Sequence, residues 1–268
     1  MNMTIGFIGA GNMASAIING LIEKTKVDPS KIIVSDPSIE KLESLKSSYN
    51  FNITTDNLEV AKKSNILFLC VKPNIYINIL DQISSTLNKE TIIVTIAAGI
   101  SLDFIQKNSF DEIKVVRTMP NTPALVGEGV TCMICNKNIS KEESLLIKNL
   151  LSSFSKVYEI DEKLMDAVPS ITGSSPAYVY MFIEALADGA VRDGFPRDMA
   201  YEMAAQAVLG SAKMVIDTKE HPAILKDRVC SPGGTTIDAV IKLESTGFRA
   251  SILSAMETCT QKSKKMSS

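Results

Sequence analysis

Near the amino end a glycine-rich turn, Gly9-Ala10-Gly11-Asn12-Met13-Ala14, stands between an apolar β-branched run and a stretch of helical spacing. No other feature limits the fold so tightly. Residues 4–8 read as a strand. Residues 12–24 read as a helix, with Met13, Ala16, Ile17, Gly20 and Leu21 on its apolar stripe. In such a turn Gly9 permits the tight bend, Gly11 lets main chain approach a pyrophosphate, and Ala14 keeps the helix close to the strand. A helix starting there points unpaired N–H groups at whatever anion the turn holds. A second β-branched run, residues 32–34, leads into Ser35-Asp36, where an acidic side chain hydrogen-bonds an adenosine ribose. A carboxylate there repels a 2′-phosphate and argues for NAD over NADP. Ser35 and Ser38, however, offer hydroxyls to a phosphate, and Asp36-Pro37 also reads as a cap for the next helix.

The alternation continues. Strands are predicted at residues 52–54, 66–71, 91–96, 115–117, 131–134 and 156–160. Helices are predicted at residues 39–49, 75–87 and 141–153, with a short one from Leu58. Strand, helix, strand with short turns makes an α/β domain, a parallel sheet covered by helices, over residues 1–160. Ligands bind beyond the carboxyl ends of such strands. Lys72-Pro73-Asn74 and Ala97-Ala98-Gly99 therefore join the first turn around one crevice, where Lys72 either neutralises an anion or snorkels at a strand end. Met119-Pro120-Asn121-Thr122-Pro123 either lines the cofactor's reactive end or is a plain turn.

Residues 161–268 read as helices only, crowded with small residues such as Ala185, Ala187, Gly189, Ala204, Ala205 and Gly210. So few large side chains make a poor core for one chain, so these helices are expected to pack against a second copy. Between two of them lies Ser231-Pro232-Gly233-Gly234-Thr235-Thr236. Proline fixes one backbone angle, the glycines free the next two positions, and the threonines open a helix: an anion site with hydroxyls beside it, or a capped connection.

Composition narrows the function. The net charge of −2 gives no reason to expect nucleic acid or an anionic membrane as partner. No apolar run reaches the about 20 residues of a membrane helix. Met1-Asn2-Met3-Thr4 passes into a strand without a secretory pattern, and five scattered cysteines suit a reducing, cytoplasmic compartment. Cys132 and Cys135 have redox or metal spacing but no second pair, and read as strand residues. The single histidine, His221, reads as a surface or cap residue, so no metal site is expected. Lys262-Ser263-Lys264-Lys265 reads as a fraying helix end.

Together these segments resemble pyrroline-5-carboxylate reductases, the last enzymes of proline biosynthesis. The likeness runs through residues 6–13, Val71-Lys72-Pro73, Ala97-Ala98-Gly99, residues 119–123, Gly173-Ser174-Ser175-Pro176-Ala177-Tyr178, His221-Pro222 and residues 231–236. The resemblance implies an NAD(P)H-dependent reductase that delivers hydride to the C=N bond of 1-pyrroline-5-carboxylate. It implies a Rossmann domain followed by a helical domain interlocked with a partner chain, with such dimers often assembling further as decamers. Carried over, cofactor contacts fall on Ile8, Gly9, Ala10, Gly11, Asn12, Met13, Ser35, Asp36, Asn57, Val71, Lys72, Pro73, Ala97, Ala98 and Asn121. Substrate contacts fall on Glu162, Arg228, Ser231, Gly233, Gly234, Thr235 and Thr236, with the Thr236 hydroxyl meeting the ring nitrogen; Thr236 and Lys72 are the expected catalytic residues. Asp36 departs from members with neutral residues there, which sets NADH against the family's usual NADPH. A cyclic imine is readily protonated, so the protein's task is orientation and electrostatics. Two rivals share the first turn: a β-hydroxyacid dehydrogenase, for which Lys213 is the candidate lysine, and a non-catalytic NAD(H)-binding protein.

Overall fold

The computed structural model describes residues 3–267; Met1 and Asn2, part of the expected lead into the first strand, lie outside the described residues. The chain divides into two compact units. One comprises residues 1–173 together with 259–268, the other residues 174–258. The division by compactness thus lies beyond residue 160, and the chain's last turns belong with its first unit.

The first unit holds an eight-stranded sheet. Its strands are β1 (Ile5–Ile8), β2 (Ile32–Ser35), β3 (Asn52–Thr54), β4 (Ile66–Leu69), β5 (Ile92–Thr95), β6 (Lys114–Met119), β7 (Gly129–Cys135) and β8 (Ser155–Glu159), in the order β3-β2-β1-β4-β5-β6-β7-β8. Strands β1 to β6 pair in parallel, with Phe7 opposite Phe68 and their rings stacked at 4.9 Å. The order reverses direction between β1 and β4, which opens the crevice beside the first turn.

One expectation is corrected. The sheet is not wholly parallel, because β7 runs antiparallel to β6. The connection, residues 120–128, folds as a short 3-10 turn over Thr122–Val126 and is too short for the helical crossover a parallel neighbour needs. Strand β8 returns parallel to β7 after a helix.

Both faces of the sheet are covered. Helices α1 (Asn12–Glu23), α2 (Ile39–Lys46) and α6 (Lys141–Leu151) bury Ile17, Leu21, Leu42 and Leu150 against Phe7, Phe68 and Val94. Helices α3 (Asn57–Lys63), α4 (Tyr76–Ile83) and α5 (Leu102–Lys107) bury Val60, Leu80 and Ile105 against Leu67, Leu69 and Ile93. Adjacent strand residues thus serve opposite cores, as buried parallel strands must. Helix α5 is additional to the helices expected from the sequence; Ser101 caps it by accepting the Phe104 N–H at 3.0 Å. A short helix α7 (Glu162–Met165) and a π-turn at Pro169–Gly173 complete this unit.

The second unit is helical: α8 (Ser175–Arg192), α9 (Arg197–Thr218), α10 (Pro222–Val229), α11 (Thr235–Ser245) and the first part of α12 (Phe248–Ser267). The lysines at 262, 264 and 265 lie within α12. Among the described residues of this unit only Pro176, Ala187, Ala200 and Ala204 are buried. Met181, Leu209, Ile216 and Leu253 are each more than half exposed. Apolar area left open on this scale marks an interaction surface.

Candidate active site

The crevice of the first unit is built by strand ends. Gly9 has φ +102°, and a Cβ there would come 2.5 Å from the Cys70 carbonyl oxygen, so β1 leaves the sheet on a conformation suited to glycine alone. Its N–H donates to the Ser35 carbonyl at 2.7 Å. Gly11 precedes α1 with no side-chain cap and nothing within 4 Å of a would-be Cβ. The first N–H groups of α1 thus have no partner within the helix and none from its cap residue, a fit for a phosphate bridge.

Asp36 is buried, and each of its carboxylate oxygens accepts a main-chain N–H. Its Oδ2 accepts the Ala10 N–H and its Oδ1 the Ser38 N–H, both at 3.0 Å. The carboxylate thus braces the glycine turn; the cap of α2 is Ser38, whose Oγ accepts the Lys41 N–H. Beside it the Ser35 hydroxyl donates to Asn57 Oδ1 at 2.7 Å, and Asn57 Nδ2 donates to Gln82. Ile8, Gly9, Gly11, Ser35, Asp36, Asn57, Val71 and Lys72 line one cleft of about 430 Å³. Ala10, Gly11 and Asn12 line a second of about 660 Å³, and Lys41 borders both. Pro73 lines a third, of about 640 Å³, with Gly99 and Ser101. Met13 is half-buried in the first turn of α1.

The far end of the crevice is held by a relay. The Tyr76 hydroxyl, wholly buried, donates to the Leu69 carbonyl at 2.7 Å and meets Thr95 Oγ1 at 2.8 Å. Thr95 Oγ1 accepts the Ala97 N–H, and the Thr118 hydroxyl donates to the Thr95 carbonyl. The ends of β4, β5 and β6 are thereby tied together where Ala97 and Ala98 turn away. Burial pushes the Tyr76 phenol well above its usual range. Asn121 is a brace too: its Nδ2 donates to the Thr172 carbonyl and its Oδ1 accepts the Val130 N–H.

Glu162 is occupied as well. Its Oε1 meets Arg117 Nη1 at 3.2 Å and accepts the Leu102 N–H at 3.1 Å, while Arg117 Nη2 meets Asp166. Arg117 is nearly inaccessible. The signal was visible, since an arginine inside an apolar strand needs carboxylates nearby.

In the second unit the loop 231–236 opens α11. Gly233 has φ +66°, and the Gly234 N–H closes a turn on the Ser231 carbonyl at 3.0 Å. Gly234 caps α11 without a side-chain bond, so the N–H groups of Thr235 and Thr236 lead the helix unpaired. Neither threonine hydroxyl has a partner among the described residues. Arg228 pairs with Glu220 at 2.6 Å, His221 caps α10 by accepting the Ala223 N–H, and Lys213 pairs with Asp217 on an exposed face.

Residues 162–266 match the family model described as pyrroline-5-carboxylate reductase dimerisation, and residues 4–99 match NADP oxidoreductase coenzyme F420-dependent. The pyrroline-5-carboxylate reductase of Escherichia coli strain K12 is 48 % identical over 267 residues, which span 100 % of this chain and 99 % of that protein. The chain belongs to the pyrroline-5-carboxylate reductase family. Human pyrroline-5-carboxylate reductase 2 is 41 % identical over 99 % of this chain and 84 % of its own length. Among solved structures, the Plasmodium falciparum pyrroline carboxylate reductase with NADP bound superposes with TM-score 0.91 at 32 % identity, covering 100 % of this chain and 99 % of that one. The Coxiella burnetii pyrroline-5-carboxylate reductase matches at TM-score 0.91 and 30 % identity, with full coverage of both chains. The dimerisation match covers the helices whose apolar faces stand open, and the NADP-oxidoreductase match ends at Gly99, with the Ala97-Ala98-Gly99 turn. Among the described residues of this reductase-family chain no helix is long and apolar enough to cross a membrane.

Proposed function

We propose that this chain reduces 1-pyrroline-5-carboxylate to L-proline with a nicotinamide dinucleotide as reductant. The observation that carries the reading is the loop 231–236, where Gly233 at φ +66° and an uncapped Gly234 leave a helix start ready for a small carboxylate, with two unpaired hydroxyls beside it. Full-length likeness to reductases of that name supports it.

The first unit fits the dinucleotide, because its glycine turn has a wide φ at Gly9, open space at Gly11 and a helix start free of side-chain caps. A bound reduced dinucleotide supplies hydride. The chain's residues do the rest. The N–H groups of Gly233, Thr235 and Thr236 hold the substrate carboxylate, Thr236 Oγ1 takes a hydrogen bond from the protonated ring nitrogen, and Lys72 neutralises negative charge at the end of β4. Asn121 and Glu162 contribute by holding main chain, in keeping with their bonds to Thr172, Val130, Leu102 and Arg117. Two copies cover each other's α8 to α12 surfaces, and further assembly to a decamer belongs to the same reading.

The test is loss of reduced-nicotinamide absorbance with purified chain and 1-pyrroline-5-carboxylate, proline being identified as product. Binding of dinucleotide without turnover of the imine would overturn the reading.

A further inference from the structure

We infer that Lys41 is a selector for the 2′-phosphate of NADP(H), acting from the first turn of α2. The inference rests on the reading that the first unit holds a nicotinamide dinucleotide. Three observations carry it. Lys41 borders both clefts that Gly11 also lines, and one of these is lined as well by Ser35 and Asp36 at the end of β2. That strand end is the adenosine-ribose side of a dinucleotide fold. Its main chain is fixed, because the Lys41 N–H donates to the Ser38 cap at 3.3 Å, while its side chain is exposed and makes no ion pair among the described residues.

The carboxylate expected to exclude a 2′-phosphate has another task. Both oxygens of Asp36 accept main-chain N–H groups, from Ala10 and Ser38, which disperse its charge and hold it in the turn. Glu40 borders the other cleft. Lys41 lines one cleft with Asp36 and the other with Glu40, so a cation accompanies each carboxylate. The start of α2, with Ile39 and Glu40 N–H groups unpaired within the helix, adds a favourable dipole. Lys72 borders the cleft that Asp36 lines, from the end of β4, the side of the pyrophosphate and nicotinamide. An ammonium is a point charge, so arginine should replace it better than any neutral residue.

The test compares the full chain with Lys41→Gln and Lys41→Arg. Binding of 2′,5′-ADP and of ADP is measured by calorimetry, and NADPH and NADH are compared in the reductase assay. Lys41→Gln is expected to weaken 2′,5′-ADP about tenfold or more while ADP changes less than twofold, since one charge-assisted contact is lost. The NADPH-to-NADH ratio of kcat/KM should fall by the same factor, through KM. Lys41→Arg should keep most of both, and added salt should narrow the gap between wild type and Lys41→Gln. Equal losses for both nucleotides, or no loss for either, overturn the inference. Because the binding arm needs no imine, it stands or falls separately from the proposed reaction.

Discussion

Arg117 Nη1 lies 3.2 Å from Glu162 Oε1, and the same carboxylate oxygen accepts the Leu102 N–H. One acid therefore joins β6, α7 and the start of α5, which follows the Ala97-Ala98-Gly99 turn. Glu162→Ala should lower stability by about 1–3 kcal/mol, because a buried guanidinium loses a partner; solvent around the partly exposed Glu162 and the remaining Asp166 keep the loss below that of a sealed pair. Glu162→Gln keeps an acceptor for Leu102 and should lose about half as much. Urea unfolding of the three proteins checks the order, and equal stabilities would remove the brace.

Two glycines of one turn should respond oppositely to alanine. Gly9→Ala forces a Cβ against the Cys70 carbonyl at a φ that L-residues avoid, and should cost about 3 kcal/mol or more, or prevent folding. Gly11→Ala meets nothing within 4 Å and should leave thermal stability nearly unchanged while raising the dinucleotide KM about tenfold or more. Thermal melts and cofactor titrations separate the two.

Asp36→Ser tests whether Asp36 selects the cofactor or braces the turn. With its Ala10 bond lost, affinity should fall for NADH and NADPH alike, by about tenfold for one charge-assisted bond. A gain for NADPH at the expense of NADH would return the selector role to the carboxylate.

The Tyr76 relay carries a pH signature. Burial raises the phenol above its unfolded value, so the folded state favours the neutral form. The associated stability is whole below about pH 10, the unfolded value, and is lost as pH rises beyond it toward the folded value. Tyr76→Phe should cost about 1 kcal/mol at neutral pH and flatten this alkaline decline. Chemical denaturation across alkaline pH measures both.

Thr236→Ala should lower kcat/KM for the imine about tenfold, the worth of one hydrogen bond, with Thr236→Ser recovering most of it. Unchanged kinetics would take Thr236 out of the reaction.

The dinucleotide crevice was legible in the sequence because its chemistry is local. Gly9, Gly11 and the strand ends at Ser35-Asp36 and Val71-Lys72 follow from period and punctuation alone, and the structure gathers them in one cleft. What escaped depends on contacts distant in the chain. That Asp36 faces Ala10 requires β2 beside β1; that Tyr76 meets Thr95 requires β4 beside β5. The reversal of β7 was hidden because an apolar run reads alike in either direction. Helix α5 is only six residues long and has too few turns to show a period, though Ser101 stands at its start as a capping residue. The second unit's thin core was legible for the opposite reason: small residues are counted, not placed.

The first unit is discontinuous along the chain. A side chain at Gly99 would meet the Met266 carbonyl at 2.8 Å, so the end of α12 closes on the turn that follows β5. During synthesis the strands and the glycine turn leave the ribosome well before that segment does. The pyrophosphate end of the crevice can therefore mature early, while its opposite end waits for the last helix. A stalled or clipped chain should bind the adenosine half of a dinucleotide and yet leave the Ala97–Gly99 turn without its lining.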